Sequence, residues 1–367
     1  MIRLLIVDDS ALVRKLLGEL FRQERDFEVA LARNGAEGLA HLASFAPDVI
    51  TLDIHMPDMD GLACLDRIML ERPTPVVMVS SLTAQGAEET LQALNLGAVD
   101  FVEKPSGALS LRMDELGPRL VRTVREAAGA RISASHRLLE RVRTRRPGER
   151  PGRGEEVANT LQAPLAHAPA PRGRSGAFGL VLVGASTGGP PALDLLLSSL
   201  PADFPWPVLV AQHMPKAFTG PLARRLDALS ALAVCEVGQP EALEPGRVYI
   251  GRGDADLLVS QRPGGLVALP APASPEHRWH PSVNRLVESA MDHLPASQLA
   301  GVLMTGMGND GAAAMSRLHA AGGLTLAEAE DTAVVWGMPG ELVRLGGASL
   351  VSRLQDLGPE LVKRLGR

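Results

Sequence analysis

At 367 residues, with 46% hydrophobic residues and a formal net charge of −5, the chain has the length of two globular domains. Its charge is too mild to favour nucleic acid or an anionic membrane as the main partner. Two cysteines far apart in sequence, Cys64 and Cys235, argue against a disulfide framework or a cysteine-rich metal site and fit a reducing compartment.

From the N-terminus, Met1-Ile2-Arg3 passes straight into a strand without the pattern of a signal peptide. Apolar runs at Leu4–Val7, Val49–Leu52, Pro75–Val79 and Phe101–Val102 predict buried strands, with a weaker one at Phe27–Leu31. Helical patterns lie between them, for example Ala11–Glu24 and Gly35–Phe45, and a last helix is predicted to begin near Pro118. This alternation predicts a parallel sheet covered by helices on both faces. From about Ala130 the composition shifts, and Arg141–Arg174, rich in Arg, Pro and Gly, reads as a mobile, partly extended tether. No aromatic residues interleave with its arginines, which favours a tether over a nucleic-acid contact.

The alternation resumes at Phe178. Strands are predicted at Gly179–Val183, Val208–Gln212, Val248–Ile250, Leu257–Val259, Leu299–Thr305 and Gly323–Ala327. Helices are predicted at Pro190–Ser199, Lys216–Ala228, Pro281–Asp292 and Gly311–Ala321. The expected organisation is an α/β chain of two doubly wound parallel-sheet domains, at 1–125 and 178–367, joined by a linker at 126–177. No apolar run reaches the roughly 18 residues that span a bilayer. A cytoplasmic, monomeric protein without direct membrane insertion is expected.

In the first domain, Asp8-Asp9 ends the first strand, Asp53 the third, Ser80-Ser81 the fourth and Lys104-Pro105 the fifth. Ends of parallel strands share one edge. Three carboxylates gathered there repel one another unless a cation sits among them, and such oxygen ligands suit Mg²⁺. A lysine and a hydroxyl beside that ion are equipped to hold a transferred phosphoryl group. Singly, Asp8 reads as a helix cap and Lys104 as a solvated charge; the ordered set carries the signal. Residues 1 to about 125 resemble the receiver domain of two-component response regulators. The resemblance implies a flavodoxin-like fold in which Asp53 accepts phosphate from a histidine kinase. It further implies that Asp8, Asp9, Asp53 and the backbone carbonyl of His55 bind Mg²⁺, that Ser80 and Lys104 contact the phosphate, and that Phe101 is the switching aromatic.

In the second domain, Gly184-Ala185-Ser186-Thr187-Gly188-Gly189 follows a strand but lacks the middle glycine of a dinucleotide fingerprint and the Gly-Lys-Ser/Thr of a P-loop. It leaves a serine on a tight turn. Gln212-His213-Met214 and Gly306-Met307-Gly308-Asn309-Asp310-Gly311 follow two other predicted strands, so a hydroxyl, an imidazole and a carboxylate can face one crevice. Ser186 or Asp310 alone reads as a helix cap, and His213 alone as a structural histidine. The order Ser–His–Asp and the absence of G-x-S-x-G separate the chain from α/β-hydrolases.

These loops, with Pro190, Pro215, Phe218-Thr219 and Gly337-Met338-Pro339, resemble the chemotaxis protein-glutamate methylesterases from about residue 178 onward. The resemblance implies a Rossmann-like esterase that demethylates glutamate methyl esters on methyl-accepting chemoreceptors and also deamidates receptor glutamines. It implies Ser186 as nucleophile, His213 as general base then acid, and Asp310 as the group orienting the imidazole. It places backbone N–H groups near Met307 in the oxyanion hole and Thr187 beside the nucleophile, with no cofactor for the ester chemistry. Two departures stand out: Trp279-His280-Pro281-Ser282-Val283-Asn284 where the family shows His-Arg-Pro-Ser-Val-Asp, and Glu328 where glutamine is common. Rival readings are a catalytically inert signalling adaptor, a hydrolase of small diffusible esters and a DNA-binding regulator; the last lacks a helix-turn-helix or basic surface.

Overall fold

The computed structural model describes residues 1–80, 83–104, 109–132 and 179–366. Near the N-terminus, β1 (Ile2–Val7), β2 (Phe27–Ala32), β3 (Val49–Asp53), β4 (Val76–Ser80) and β5 (Asp100–Glu103) form a parallel sheet in the order β2-β1-β3-β4-β5. Every residue of β3 and β4 is buried. Strands covered on both faces must be apolar nearly throughout, and apart from buried Thr51 in β3 it is their last residues, Asp53 and Ser80, that break the pattern, at the sheet edge. The covering helices are α1 (Ala11–Gln23), α2 (Gly35–Ser44), α3 (Gly61–Glu71), α4 (Ala84–Leu96) and α5 (Leu109–Ala127). Side chains of Ser10, Asn34 and Asp60 accept from backbone N–H groups in the first turns of α1, α2 and α3. Gly61 lets the loop after β3 close tightly, since a Cβ there would lie 2.1 Å from the Asp53 carbonyl oxygen.

One helix start differs from the sequence reading. Helix α5 begins at Leu109, and Pro118 sits inside it. Proline favours the first turn because its missing N–H costs nothing there, so a mid-helix proline mimics a start signal. Of the tether expected at 126–177, residues 126–132 are described, and Arg131 N donates to the Val334 carbonyl at 3.0 Å. The rest of it lies outside the described residues.

Beyond residue 178, β6 (Leu180–Ala185), β7 (Val208–Gln212), β8 (Ala233–Val237), β10 (Arg247–Gly251), β13 (Leu299–Leu303), β14 (Leu324–Glu328) and β15 (Leu350–Ser352) form a seven-stranded parallel sheet, ordered β15-β14-β13-β6-β7-β10-β8. Helices α6 (Gly189–Ser198), α7 (Lys216–Leu229), α8 (Val283–Met291), α9 (Ala312–Ala320), α10 (Met338–Arg344) and α11 (Leu354–Leu365) accompany it. The chain starts in the middle at β6, builds outward through β7, then returns to add β13 on the other side. The switch point between β6 and β13 is where open sheets of this type leave a crevice at their carboxyl edge.

A second, antiparallel sheet was not legible in full: β11 (Ala255–Arg262) and β12 (Gly265–Pro272) form a hairpin that β9 (Glu241–Ala242) extends. Only Leu257–Val259 is predicted as a strand from the sequence, and β12 carries two prolines, Pro270 and Pro272. They are tolerated because β9 pairs β12 only at Val267 and Ala268, which leaves the proline end as an edge.

The two parts touch. Helix α4 packs on α6 and α7, and the rings of Phe101 and Phe218 have centroids 4.3 Å apart. The Thr187 hydroxyl donates to Asp100 Oδ2 at 2.5 Å. Among the described residues no helix is long and apolar enough to cross a membrane.

Candidate active site

Strands β13, β6 and β7 are neighbours, so the loops that follow them meet at one edge. His213 Nε2 lies 2.9 Å from Asp310 Oδ2. Asp310 also accepts from the backbone N–H groups of Val283 at 2.7 Å and Asn284 at 3.1 Å, and from the Ser282 hydroxyl at 3.2 Å. These donors open α8, whose positive end favours an anion. Burial pushes the Asp310 carboxyl up; the His213 hydrogen bond, the imidazole charge and the two backbone N–H groups outweigh it and hold the carboxyl below its usual range. The ionised carboxylate fixes a proton on Nε2, which leaves the lone pair on His213 Nδ1.

Ser186 directly follows β6. Its backbone N–H donates to the Thr305 carbonyl at 3.0 Å, and its own carbonyl accepts from Gly189 N and from the Gln212 side chain. The same Gln212 amide donates to the His213 carbonyl at 3.1 Å, so one buried side chain ties both loops together. Ser186, Thr187, His213 and Met307 line one cavity of about 640 Å³. His213 Nδ1 has no hydrogen-bond partner, so the serine–imidazole bond is not made in this arrangement. Such bonds commonly tighten only when substrate arrives.

At the other sheet edge, carboxylate oxygens of Asp8, Asp9 and Asp53 all lie within 4.8 Å of one another. Lys104 Nζ stands 2.7 Å from Asp53 Oδ2 and 3.2 Å from Asp8 Oδ2. Burial and then the Asp53 charge push the Asp8 carboxyl up to about 6, against the opposing pull of Lys104. Burial also raises Asp53, although Lys104 and the His55 backbone N–H draw it down. Asp8 Oδ2 faces the Lys104 ammonium without a well-aligned hydrogen bond, and one ammonium serves the carboxylates of both Asp8 and Asp53. Hard oxygen donors short of positive charge fit a divalent cation. The Ser80 hydroxyl donates to the Gly86 carbonyl and accepts from Thr90, both in α4. Phe101 is buried against Phe218.

The raised Asp8 carboxyl has a stability consequence. The folded state holds this proton more tightly than the unfolded chain, so its contribution is complete below 3.8 and is lost as pH rises through about 6. Asp8→Asn is therefore expected to stabilise the metal-free protein by about 1–3 kcal/mol at pH 7, read from denaturant midpoints. A variant less stable than the parent at pH 7 would contradict the cause assigned here.

Comparison with known proteins gives two domain matches: CheB methylesterase over residues 181–361 and response regulator receiver domain over residues 4–113. A protein-glutamate methylesterase/protein-glutamine glutaminase of Rhodopseudomonas palustris is 57% identical over 99% of this chain and 98% of its own length. The chain belongs to the CheB methylesterase family. A protein of Rhodospirillum rubrum with the same designation is 51% identical, over 96% of this chain and 93% of its own. The catalytic domain of Thermotoga maritima CheB methylesterase shares 34% identity and a TM-score of 0.49, covering 51% of this chain and 99% of that one.

Against that family, the departures occupy different places. Glu328 is fully buried behind the nucleophile loop: its Oε2 accepts from Thr305 N at 2.8 Å, and burial pushes its carboxyl up to about 7. Trp279 instead lines the cleft, stacked on His213. Asn284 Oδ1 accepts from Ala314 N and so caps α9, whose Gly311 N-cap has no side chain to do so. Gln212 and Ser282, which this CheB methylesterase family member uses to brace its loops, carried no assigned role in the sequence. Gln212 at the end of an otherwise apolar strand was the available signal, since a buried amide needs partners.

Proposed function

We propose that this chain hydrolyses glutamate methyl esters on chemoreceptors, and deamidates receptor glutamines by the same route, under control of phosphorylation at Asp53. The observation carrying the reading is the His213–Asp310 contact of 2.9 Å beside Ser186, at the ends of adjacent strands. The Ser186 hydroxyl attacks the ester carbonyl while His213 Nδ1 takes its proton. Backbone N–H groups near Met307 stabilise the oxyanion. His213 then gives the proton to the departing methoxide, and methanol leaves. Water, deprotonated by the same nitrogen, releases the carboxylate and regenerates the serine. With glutamine the leaving group is ammonia. Asp310 stays ionised throughout and stabilises the imidazolium. Membranes carrying methylated receptors, incubated with the protein and analysed by mass spectrometry, are expected to lose methyl groups at glutamate sites; unchanged sites would refute the reading.

For the switch, Asp8, Asp9, Asp53 and the His55 carbonyl would hold Mg²⁺, which would supply positive charge against the phosphoryl oxygens. A histidine kinase supplies that phosphoryl group. Lys104 moves from the Asp53 carboxylate to the phosphate, and Ser80 must leave its α4 partners to follow. Lys104 directly follows β5, which carries Asp100 and Phe101 into contact with Thr187 and Phe218. Those contacts close the cleft over Ser186. Each is worth roughly 1 kcal/mol, since a buried hydrogen bond and an aromatic pair both contribute on that scale. The exposed Arg131–Glu330 pair adds little by comparison. Breaking the buried contacts supplies about 1–3 kcal/mol of coupling, so Mg²⁺ with a small phosphodonor is expected to speed receptor demethylation by about 5- to 150-fold. Asp53→Asn is expected not to respond. Equal rates with and without the phosphodonor would remove the inhibitory arrangement.

A further inference from the structure

The indole of Trp279 is the aromatic wall of the cleft on the side of His213. The two ring centroids are 5.8 Å apart and the planes are inclined by 5°, an offset parallel stack. The far edge of the same indole reaches the loop after β13. Gly308 there has φ +75, and a Cβ added to it would lie 2.7 Å from Trp279 Cζ2. One side chain therefore touches both the imidazole and the loop that carries Met307. Its own segment is held from behind by buried Asp256, which accepts from Ser282 N at 2.7 Å, pairs with His280 Nδ1 at 3.0 Å and is gripped by Arg285. The ring is thus delivered by a braced backbone, yet it stays half-buried and open to the cleft.

We propose that Trp279 is a positioning residue for the general base: its stacked face keeps the His213 imidazole aligned with Asp310 and stabilises the imidazolium formed in each half of the reaction. This rests on the esterase reading above. The physical reason is that the reaction places positive charge on His213 while a tetrahedral intermediate exists. An attraction between a cation and an aromatic face is then realised in the transition state more than in the resting enzyme. The hydrogen bond that His213 Nε2 donates to Asp310 fixes one edge of the imidazole but leaves its plane free to tilt, and the stack removes that freedom.

Other titratable and charged groups share this cavity with His213. Asp310 is in contact, and Lys216, Asp254, Arg278 and His280 line the cavity from the esterase part. Asp100, Arg119, Arg122 and Glu126 line it from the receiver. Arg278 also stands 5.7 Å from the Trp279 ring, where it competes for the same indole. The charges remain when Trp279 alone is changed, but the Arg278 contact goes with the indole, so Trp279→Phe, which keeps an aromatic face for both cations, is the control for Trp279→Leu.

The test compares full-length protein with Trp279→Phe and Trp279→Leu. Trp279→Leu is expected to lower kcat on methylated receptors by about 3- to 30-fold with KM within about twofold, and Trp279→Phe to retain most of the rate. The acid limb of kcat/KM is expected to move to lower pH in Trp279→Leu, because a cation without the aromatic face gives up its proton more readily. Independently of catalysis, the emission lost between parent and Trp279→Phe is expected to be quenched as the imidazole becomes protonated, and that titration to vanish in a His213→Gln background. Unchanged kcat and acid limb in Trp279→Leu, with only KM altered, would overturn the proposal in favour of a substrate wall. An indole signal blind to His213 would overturn it as well. A parent protein inactive on receptors yet showing the coupled titration would sink the esterase reading and leave the stack standing.

Discussion

Ser186→Ala is expected to slow receptor demethylation by about 10⁴- to 10⁶-fold, leaving only what the oxyanion donors and substrate binding contribute. The loss is chemical, since the position is held by its backbone. Ser186 N donates to Thr305, and its carbonyl accepts from Gly189 and Gln212, none of which needs the hydroxyl. Folding stability is therefore expected within about 0.5 kcal/mol of the parent. Methanol release and thermal denaturation measured on the same preparation check both halves. A variant that keeps more than about a tenth of the rate would show that another group attacks the ester and would return the chain to the rival readings.

Asp310→Asn combines two kinds of damage. An amide can offer its oxygen or its NH₂ to His213 Nε2. The NH₂ would force the proton onto Nδ1, where the base needs a lone pair, and kcat is expected to fall by about 10³- to 10⁴-fold. Both carboxylate oxygens also serve α8: Oδ2 accepts from Val283 N and Oδ1 from Asn284 N. Either orientation of the amide sets an NH₂ against a buried backbone N–H, so a stability loss of about 1–3 kcal/mol is expected in the same variant. Most single changes to a triad alter rate without stability, so the joint loss marks this residue. A variant with full stability would mean that the α8 N–H groups find other partners; one with near-parental kcat would mean that His213 is not aligned by Asp310.

Much of this architecture was legible because buried parallel strands leave little choice of residue. Nearly unbroken apolar runs fixed β3, β4, β6, β7 and β13, and polar residues at or soon after their ends marked the two carboxyl edges, Asp53 and Ser80 on the first sheet and Ser186, His213 and Asp310 on the second. Pro118 misled because a proline inside a helix carries the same local signal as one in its first turn. Side-chain direction was beyond reach. Nothing local says that Ser80 turns into α4, that Trp279 lies flat on His213, or that Thr187 finds Asp100, a partner 87 positions away. Such contacts depend on which elements meet, and the pattern of a single strand or helix does not encode that.

The double hydrogen bond from Gln212 makes the nucleophile and base loops a single rigid piece. Under the proposed control they would travel together, so a domain movement would change the doorway while leaving the tools behind it assembled. Control of this kind discriminates by bulk: it shuts out a helical receptor long before it troubles a molecule the size of a lone amino-acid ester.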